Sequence, residues 1–130
     1  MKVEIVKLDD FGRGICFVNN KVTFVPNTVL GDIANIKIIK EHKKYNEAIL
    51  VDLVNPSSDR KDALCPYFGI CGGCTLQTLS YEKGIDYKKE KVINYFKKMG
   101  LIINPSLITN DTPYNYRNKI TLKVVNGVIG

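Results

Sequence analysis

The sequence lacks any long apolar run. No stretch of its 130 residues approaches the ~20 consecutive apolar residues that a membrane-crossing helix needs. The opening MKVEIVKLDD also has no apolar segment long enough for the core of a signal peptide. These absences argue against a membrane partner and predict a cytoplasmic protein. Because 45% of the residues are hydrophobic, we expect a globular chain rather than a disordered one.

The sequence also lacks a glycine-rich turn between a strand and a helix. Gly12-Arg13-Gly14 leads into a predicted strand, and Gly72-Gly73 lies among cysteines. Neither turn can open the pocket that a doubly wound sheet offers to a nucleotide-derived cofactor. We therefore expect that this chain alone contains neither such a pocket nor a catalytic residue.

Potential metal ligands are few and unevenly placed. The chain has four cysteines and one histidine, and three of the cysteines (Cys65, Cys71 and Cys74) lie within ten residues. Structural disulfides are poor candidates in a reducing compartment. The five-then-two spacing lets three thiolates converge on one centre, so the sequence predicts a metal site at these cysteines.

The spacing favours an iron–sulfur cluster over zinc but leaves both open. Zinc usually takes four ligands in two close pairs, and no second pair is present. Gly72-Gly73 would let backbone N–H groups approach the sulfides of a cluster. Cys16 lies in a predicted apolar strand and is expected to be a small core residue. His42 lies in a charged turn and is expected to be solvated.

The first 54 residues predict short β-strands separated by turns. The predicted strands span 3–8, 15–18, 22–25, 33–39 and 45–54. Asn19-Asn20 tolerates positive φ and predicts a tight hairpin. Five strands without an intervening helix predict a small closed barrel, since closure removes the exposed edges of so small a sheet.

The second half of the sequence predicts one helix and then further strands. Residues 55–59 have the composition of a linker. Ser80 can cap a helix that Gly100 would end, with an apolar stripe along one side. Short β segments are predicted at 107–108 and 120–125, with Asn126-Gly127 as a hairpin turn. We therefore expect a barrel over 1–55, a linker and cysteine loop over 56–79, and a third region over 80–130.

The formal net charge is +6, and most of the excess lies after residue 80. Such an excess favours polyanionic partners through contacts with phosphate groups, although charge alone does not identify a nucleic acid.

Two segments resemble a known family. CPYFGICGGCTLQTLSYEKGIDYKKEKV, followed by YNYRNKITLKV, resembles the iron–sulfur RNA (uracil-5-)-methyltransferases in cysteine spacing and in the order of the surrounding residues. GRGICFVNNKVTFVPNTVLGD resembles their TRAM barrel more weakly, with Val29 where a proline is usual before Gly31. The resemblance covers essentially the whole chain but only about the first third of such an enzyme.

The resemblance implies a mostly β and then α+β protein. It would consist of a five-stranded OB-like TRAM barrel, a 4Fe-4S cluster loop, one amphipathic helix and the first strands of a truncated central α/β domain. The family makes 5-methyluridine in ribosomal or transfer RNA with S-adenosylmethionine, after a catalytic cysteine adds to C6 of uracil. That cysteine, the methyl-donor pocket and the fourth cluster ligand are expected beyond Gly130, so the cofactor would be bound only by the full-length enzyme.

The implied partner is RNA, and no DNA contact is expected. Basic and aromatic side chains on a small barrel suit phosphate contact and base stacking. The candidate RNA-binding residues are Arg13, Lys21, Lys37, Lys40, Lys43, Lys44, Tyr45, Arg117 and Lys119. Two other interpretations stay open: a freestanding RNA-binding module with a structural or redox-sensing metal site, and a zinc-stabilised protein-interaction domain.

Overall fold

The computed structural model describes residues 1–70, 72–116, 118–119, 121 and 124–129. The chain divides into two compact units, Met1–Gly84 and Ile85–Gly130. In the described part of the chain, no helix has the length and hydropathy that spanning a bilayer requires.

Six strands form one sheet in the first unit. They are β1 (Lys2–Glu4), β2 (Lys7–Leu8), β3 (Gly14–Val18), β4 (Lys21–Val25), β5 (Ile33–Glu41) and β6 (Tyr45–Asn55). Their order in the sheet is β1-β5-β6-β4-β3-β2. Strands β4 and β6 are parallel, and all other neighbouring strands are antiparallel.

The first segment of the chain closes this sheet into a barrel. Strand β1 pairs with β5 at one edge, and β2 pairs with β3 at the other. The segment changes its pairing partner between Ile5 and Val6. The Ile5 amide donates to Asp32 O, whereas the Val6 amide donates to Ile15 O, both at 2.9 Å. The prediction of five strands is wrong by one, since the segment bends at the fully buried Ile5 and forms two short strands.

The barrel core consists of side chains that alternate along the strands. Its buried members are Ile5, Cys16, Val18, Val25, Ala34, Ile36 and Ala48. Burial raises the pKa of the Cys16 thiol, so the group stays protonated. The prediction that Cys16 is a core residue is confirmed. The hairpin between β3 and β4 is confirmed too, with positive φ at Asn19 (51°) and Asn20 (59°).

The predicted helix is confirmed as α1 (Tyr81–Lys98). The Ser80 hydroxyl accepts a hydrogen bond from the Lys83 amide at 3.4 Å, which is a long N-terminal cap. At the other end Gly100 has φ +80°, and the Leu101 amide donates to Phe96 O at 3.0 Å. No residue of α1 is buried.

The predicted hairpin at Asn126-Gly127 is confirmed. Strands β7 (Val124–Val125) and β8 (Val128–Ile129) pair antiparallel around it, with φ of 51° and 78° at the two turn residues. The predicted β segment at 107–108 is wrong: it forms no strand, and Ile108 is fully exposed. Within the described residues this short apolar pair has no partner strand. Positions 120, 122 and 123 of the predicted strand at 120–125 lie outside the described residues.

Candidate RNA interface and cysteine loop

A buried ion pair ties the linker to the barrel. The guanidinium of Arg60 contacts the carboxylate of Asp32 at 2.7 Å, and these side chains are 14% and 0% exposed. The Ser57 amide donates to Asp32 Oδ1 at 3.0 Å, and the Val29 amide donates to Oδ2 at 2.8 Å. Arg60 also donates to Asn27 O at 2.9 Å. The chain that follows β6 is therefore held at the turn that precedes β5.

These contacts keep Asp32 ionised. Burial alone would raise the pKa of its carboxyl, but hydrogen bonds from Arg60, Ser57 and Val29 and the charge of Arg60 outweigh that effect. The net result is a pKa below the ordinary value of aspartate. This pair was missed in the sequence analysis, because nothing in the local pattern connects residues 28 positions apart.

The cysteine loop, residues 61–78, is closed at its base. Arg60 and Leu79 form an isolated β-bridge, and the Lys61 amide donates to Thr78 O at 2.9 Å. Inside the loop, the Cys65 amide donates to Gln77 Oε1 at 3.2 Å. The two ends of the loop thus leave the barrel side by side.

The cysteine loop also packs against two turns of the barrel. A Cβ atom added at Gly12 would lie 3.1 Å from Leu76 Cδ2. One added at Gly69 would lie 2.9 Å from Asn27 Nδ2. Both glycines have positive φ (78° and 81°), so neither position readily accepts another residue.

The predicted metal ligands are only partly described. Cys65 is half-buried, Cys74 is exposed, and both are free thiols, whereas Cys71 lies outside the described residues. Among the remaining residues, no group of three or more His, Cys, Asp or Glu side chains is placed to hold a metal ion. Free thiols on a tightly turned loop fit the donor chemistry of an iron–sulfur cluster or zinc. Gly72 has φ +71°, and a Cβ atom there would meet nothing within 4 Å, which leaves space beside the loop.

Four of the six predicted lysine contacts lie on β5 or in the turn that follows it. Lys43 and Lys44 are exposed in the turn between β5 and β6, and Lys37 and Lys40 are exposed on β5. Lys21 is half-buried, and its Nζ donates to His42 O at 3.1 Å. In the second unit, Lys119 is exposed and Arg117 lies outside the described residues.

Arg13 forms an ion pair with Asp9, a residue of the same turn. Its Nε and Nη2 each lie 2.7 Å from Asp9 Oδ2. The Phe11 and Arg13 amides both donate to Asp9 Oδ1. The guanidinium carbon lies 4.4 Å from the ring centroid of Phe24 and 5.5 Å from that of Phe11. Its charge is thus paired with a carboxylate, and its flat face stacks on aromatic rings.

Tyr45 packs against neighbouring rings, including that of His42, so the prediction that His42 is solvated is wrong. The rings of Tyr45 and His42 stack with their centroids 4.2 Å apart. His42 is half-buried, and its Nε2 lies 2.9 Å from Glu47 Oε1. Phe24 meets Tyr45 edge-on at 5.6 Å. One face of Tyr45 is therefore covered by an imidazole.

Two exposed phenylalanines were missed in the sequence analysis. Phe11 is 72% exposed and Phe17 is 60% exposed. For Phe17, the alternation of side chains along β3 could have predicted this exposure. If Cys16 points into the core, its neighbour Phe17 must point outward.

The comparisons with known proteins fit this geometry. A family model of the TRAM domain matches residues 1–51. The match ends four residues before the end of β6, so this TRAM region covers almost all of the barrel sheet.

Over most of its length the chain is similar to RNA methyltransferases. A 23S rRNA (uracil(1939)-C(5))-methyltransferase of Francisella tularensis subsp. novicida is 38% identical over an alignment of 128 residues, and the match covers 95% of this chain and 28% of the relative. An RNA methyltransferase of Clostridium acetobutylicum is 37% identical over an alignment of 127 residues, and the match covers 92% of this chain and 28% of the relative. This chain therefore spans less than a third of the length of these relatives.

A solved structure is similar as well. The crystal structure of Pyrococcus abyssi tRNA (uracil-54, C5)-methyltransferase in complex with S-adenosyl-L-homocysteine matches with a TM-score of 0.66 and 27% identity. The match covers 100% of this chain and 28% of that one. The similarity therefore includes the TRAM region, the cysteine loop and the residues that follow.

Proposed function

We propose that this chain is the N-terminal, RNA-binding part of a 23S rRNA or tRNA (uracil-5-)-methyltransferase. One observation carries the proposal: proteins named as RNA methyltransferases match 91–95% of the chain at 33–38% identity. A similarity confined to the TRAM region would support only an RNA-binding module. The whole enzyme would use S-adenosylmethionine to make 5-methyluridine in the cytoplasm, and this part would supply RNA contacts rather than catalytic residues.

A chimera tests the enzymatic part of the proposal. Residues 1–130 would replace the matching segment of the Francisella relative, and 5-methyluridine would be measured in 23S rRNA with labelled S-adenosylmethionine. We expect methyl transfer by the chimera and none by the same enzyme without the segment. Residues 1–130 alone should transfer no methyl group. A folded but inactive chimera would contradict the proposal.

RNA binding is tested on the chain itself. Exposed lysines support weak binding, with a dissociation constant of ~10⁻⁴ to 10⁻⁶ M that rises with salt as counterions are released. The variant Lys40→Ala/Lys43→Ala/Lys44→Ala should bind more weakly and show a shallower salt dependence. A matched control removes three charges from α1: Lys89→Ala/Lys97→Ala/Lys98→Ala. If only the α1 variant weakens binding, the barrel is not the RNA-binding region.

We also propose that Cys65, Cys71 and Cys74 hold a 4Fe-4S cluster. The thiolate set supports this, as does the open space beside Gly72, where a Cβ atom would meet nothing within 4 Å. Protein purified without oxygen should be brown and contain iron and acid-labile sulfide. Serine at any of the three positions should abolish the colour, whereas Cys16→Ser should retain it because Cys16 lies in the core. A colourless protein with one equivalent of zinc would overturn the cluster.

A further inference from the structure

One face of the barrel carries aromatic side chains in adjacent positions. Ile15 is the register partner of Phe24, and Phe17 is the partner of Val22. Directly opposed residues of an antiparallel pair point to the same side of the sheet. Because Cys16 and Thr23 between them are buried, these four side chains face away from the core.

The turn before β3 extends this face. Phe11 lies in that turn, and Arg13 spans the gap to β4, with its guanidinium near the rings of Phe11 and Phe24. Asp9 accepts hydrogen bonds from the Phe11 amide and from the amide and Nε of Arg13, and its carboxylate lies 2.7 Å from Arg13 Nη2; these contacts hold the arrangement in place. The rings of Phe11 and Phe17 remain 72% and 60% exposed.

Basic residues flank the aromatic face on both sides. The register places Lys7 beside Ile15, Ile15 beside Phe24, Phe24 beside Glu47, and Glu47 beside Lys40. One row across five strands therefore begins and ends with an exposed lysine. Exposed rings between lysines complement a strand of nucleic acid, whose bases stack on aromatics while its phosphates meet cations. A purely apolar partner would bring no phosphate groups to these lysines.

We propose that Phe11, Arg13, Phe17 and Phe24 form a stacking platform for unpaired bases of single-stranded RNA. This inference rests on the proposed RNA-binding function and changes the assignment of its contacts. Phe11 and Phe17 present the exposed rings, and Arg13, which lies over the rings of Phe11 and Phe24, acts as a stacking element rather than as a phosphate ligand. Tyr45 contributes little stacking, since it is half-buried and its ring stacks on that of His42.

The absence of tryptophan from the chain makes the platform testable. Phe11→Trp and Phe17→Trp each introduce a single fluorophore at a platform position. The control is Val51→Trp, at an exposed position on β6 that lies four residues, or about 13 Å at ~3.3 Å per residue, along the strand from Glu47, the residue beside Phe24. We expect oligo(U) to quench both platform tryptophans but not the control. Inorganic polyphosphate, which carries charge but no bases, should quench none of them.

A second measurement separates stacking from charge. Phe11→Ala/Phe17→Ala should weaken oligo(U) binding by about tenfold or more, the order that loss of a stacked base gives, with the salt dependence unchanged. Circular dichroism checks that the variant folds. If oligo(U) quenches neither platform tryptophan, or if the double variant binds as well as the unchanged chain, the platform is wrong. In that case the proposal of RNA binding still holds if the unchanged chain binds oligo(U) in a salt-dependent manner. If the unchanged chain binds no RNA, both proposals fail.

Discussion

The barrel and helix α1 are held by contacts of different range. In the barrel, fully buried side chains such as Ile5 and Ile36 come from distant parts of the sequence. In α1 no residue is buried, and most of the hydrogen bonds at its ends join residues three to five positions apart. At its start the Ser80 amide also donates to Asp59 O at 2.8 Å, and Lys83 Nζ lies 3.6 Å from Asp59 Oδ2. The barrel therefore depends on which distant segments meet, and α1 depends mainly on local hydrogen bonding. Substitutions should therefore change the free energy of unfolding by different amounts in the two regions.

The largest effect is expected from Asp32→Ala. It leaves Arg60 buried without its carboxylate and removes the acceptor of the Ser57 and Val29 amides. Breaking one side of a buried pair typically lowers the free energy of unfolding by about 3–5 kcal/mol. Urea denaturation measures the change.

The matched control for this substitution is Asp52→Ala. Asp52 is exposed and accepts one hydrogen bond from Asn35, so its loss should change the free energy of unfolding by about 0.5 kcal/mol or less. Equal effects of the two substitutions would mean that the link between Asp32 and Arg60 does not stabilise the barrel.

Acid should weaken the same link without a substitution. The pKa of Asp32 is lowered in the folded protein, so the folded state binds fewer protons than the unfolded state near the ordinary value of 3.8. The stabilisation is present above that value and is lost as the pH falls through the lowered pKa. Urea midpoints measured from pH 6 downwards should therefore fall more steeply in the unchanged chain than in Asp32→Asn. Parallel curves would contradict this.

The substitution of glycine by alanine should have opposite signs in the two regions. At Gly14 the new Cβ would lie 2.0 Å from Thr28 Oγ1 and 2.8 Å from Ile5 Cγ2. Such overpacking destabilises by about 1–3 kcal/mol. At Gly84 the new Cβ meets nothing within 4 Å, and alanine should stabilise α1 by about 0.5–1 kcal/mol. Thermal unfolding followed by circular dichroism gives both signs, and a stabilising Gly14→Ala would refute the tight packing.

The smallest effect is expected at the start of α1. Ser80→Ala removes a cap whose hydrogen bond is already long, so a loss of about 0.5 kcal/mol is expected, the low end for caps. Helicity by circular dichroism measures it. Ser58→Ala, in the exposed linker, is the control and should leave helicity unchanged. A loss above about 2 kcal/mol would indicate that Ser80 stabilises more than the helix end.

The parts of the fold that sequence predicts correctly have local causes. Asn19-Asn20 forms the hairpin because both residues tolerate positive φ, and Gly100 ends α1 for the same reason. Alternation along β3 suffices to assign Cys16 to the core. Cysteine spacing likewise predicts a metal site, and because Cys71 lies outside the described residues, that site stays a prediction.

Tertiary structure alone decided the contacts between residues distant in the sequence. The bend at Ile5 exists because one short segment must pair with both edges of the sheet, and no local pattern specifies that geometry. The link between Asp32 and Arg60 arises because closure of the barrel brings two distant turns together. The same closure brings β4 beside β6, so Phe24 meets Tyr45. Composition and periodicity determined which side chains face outward, whereas the register of the strands determined which of them are neighbours.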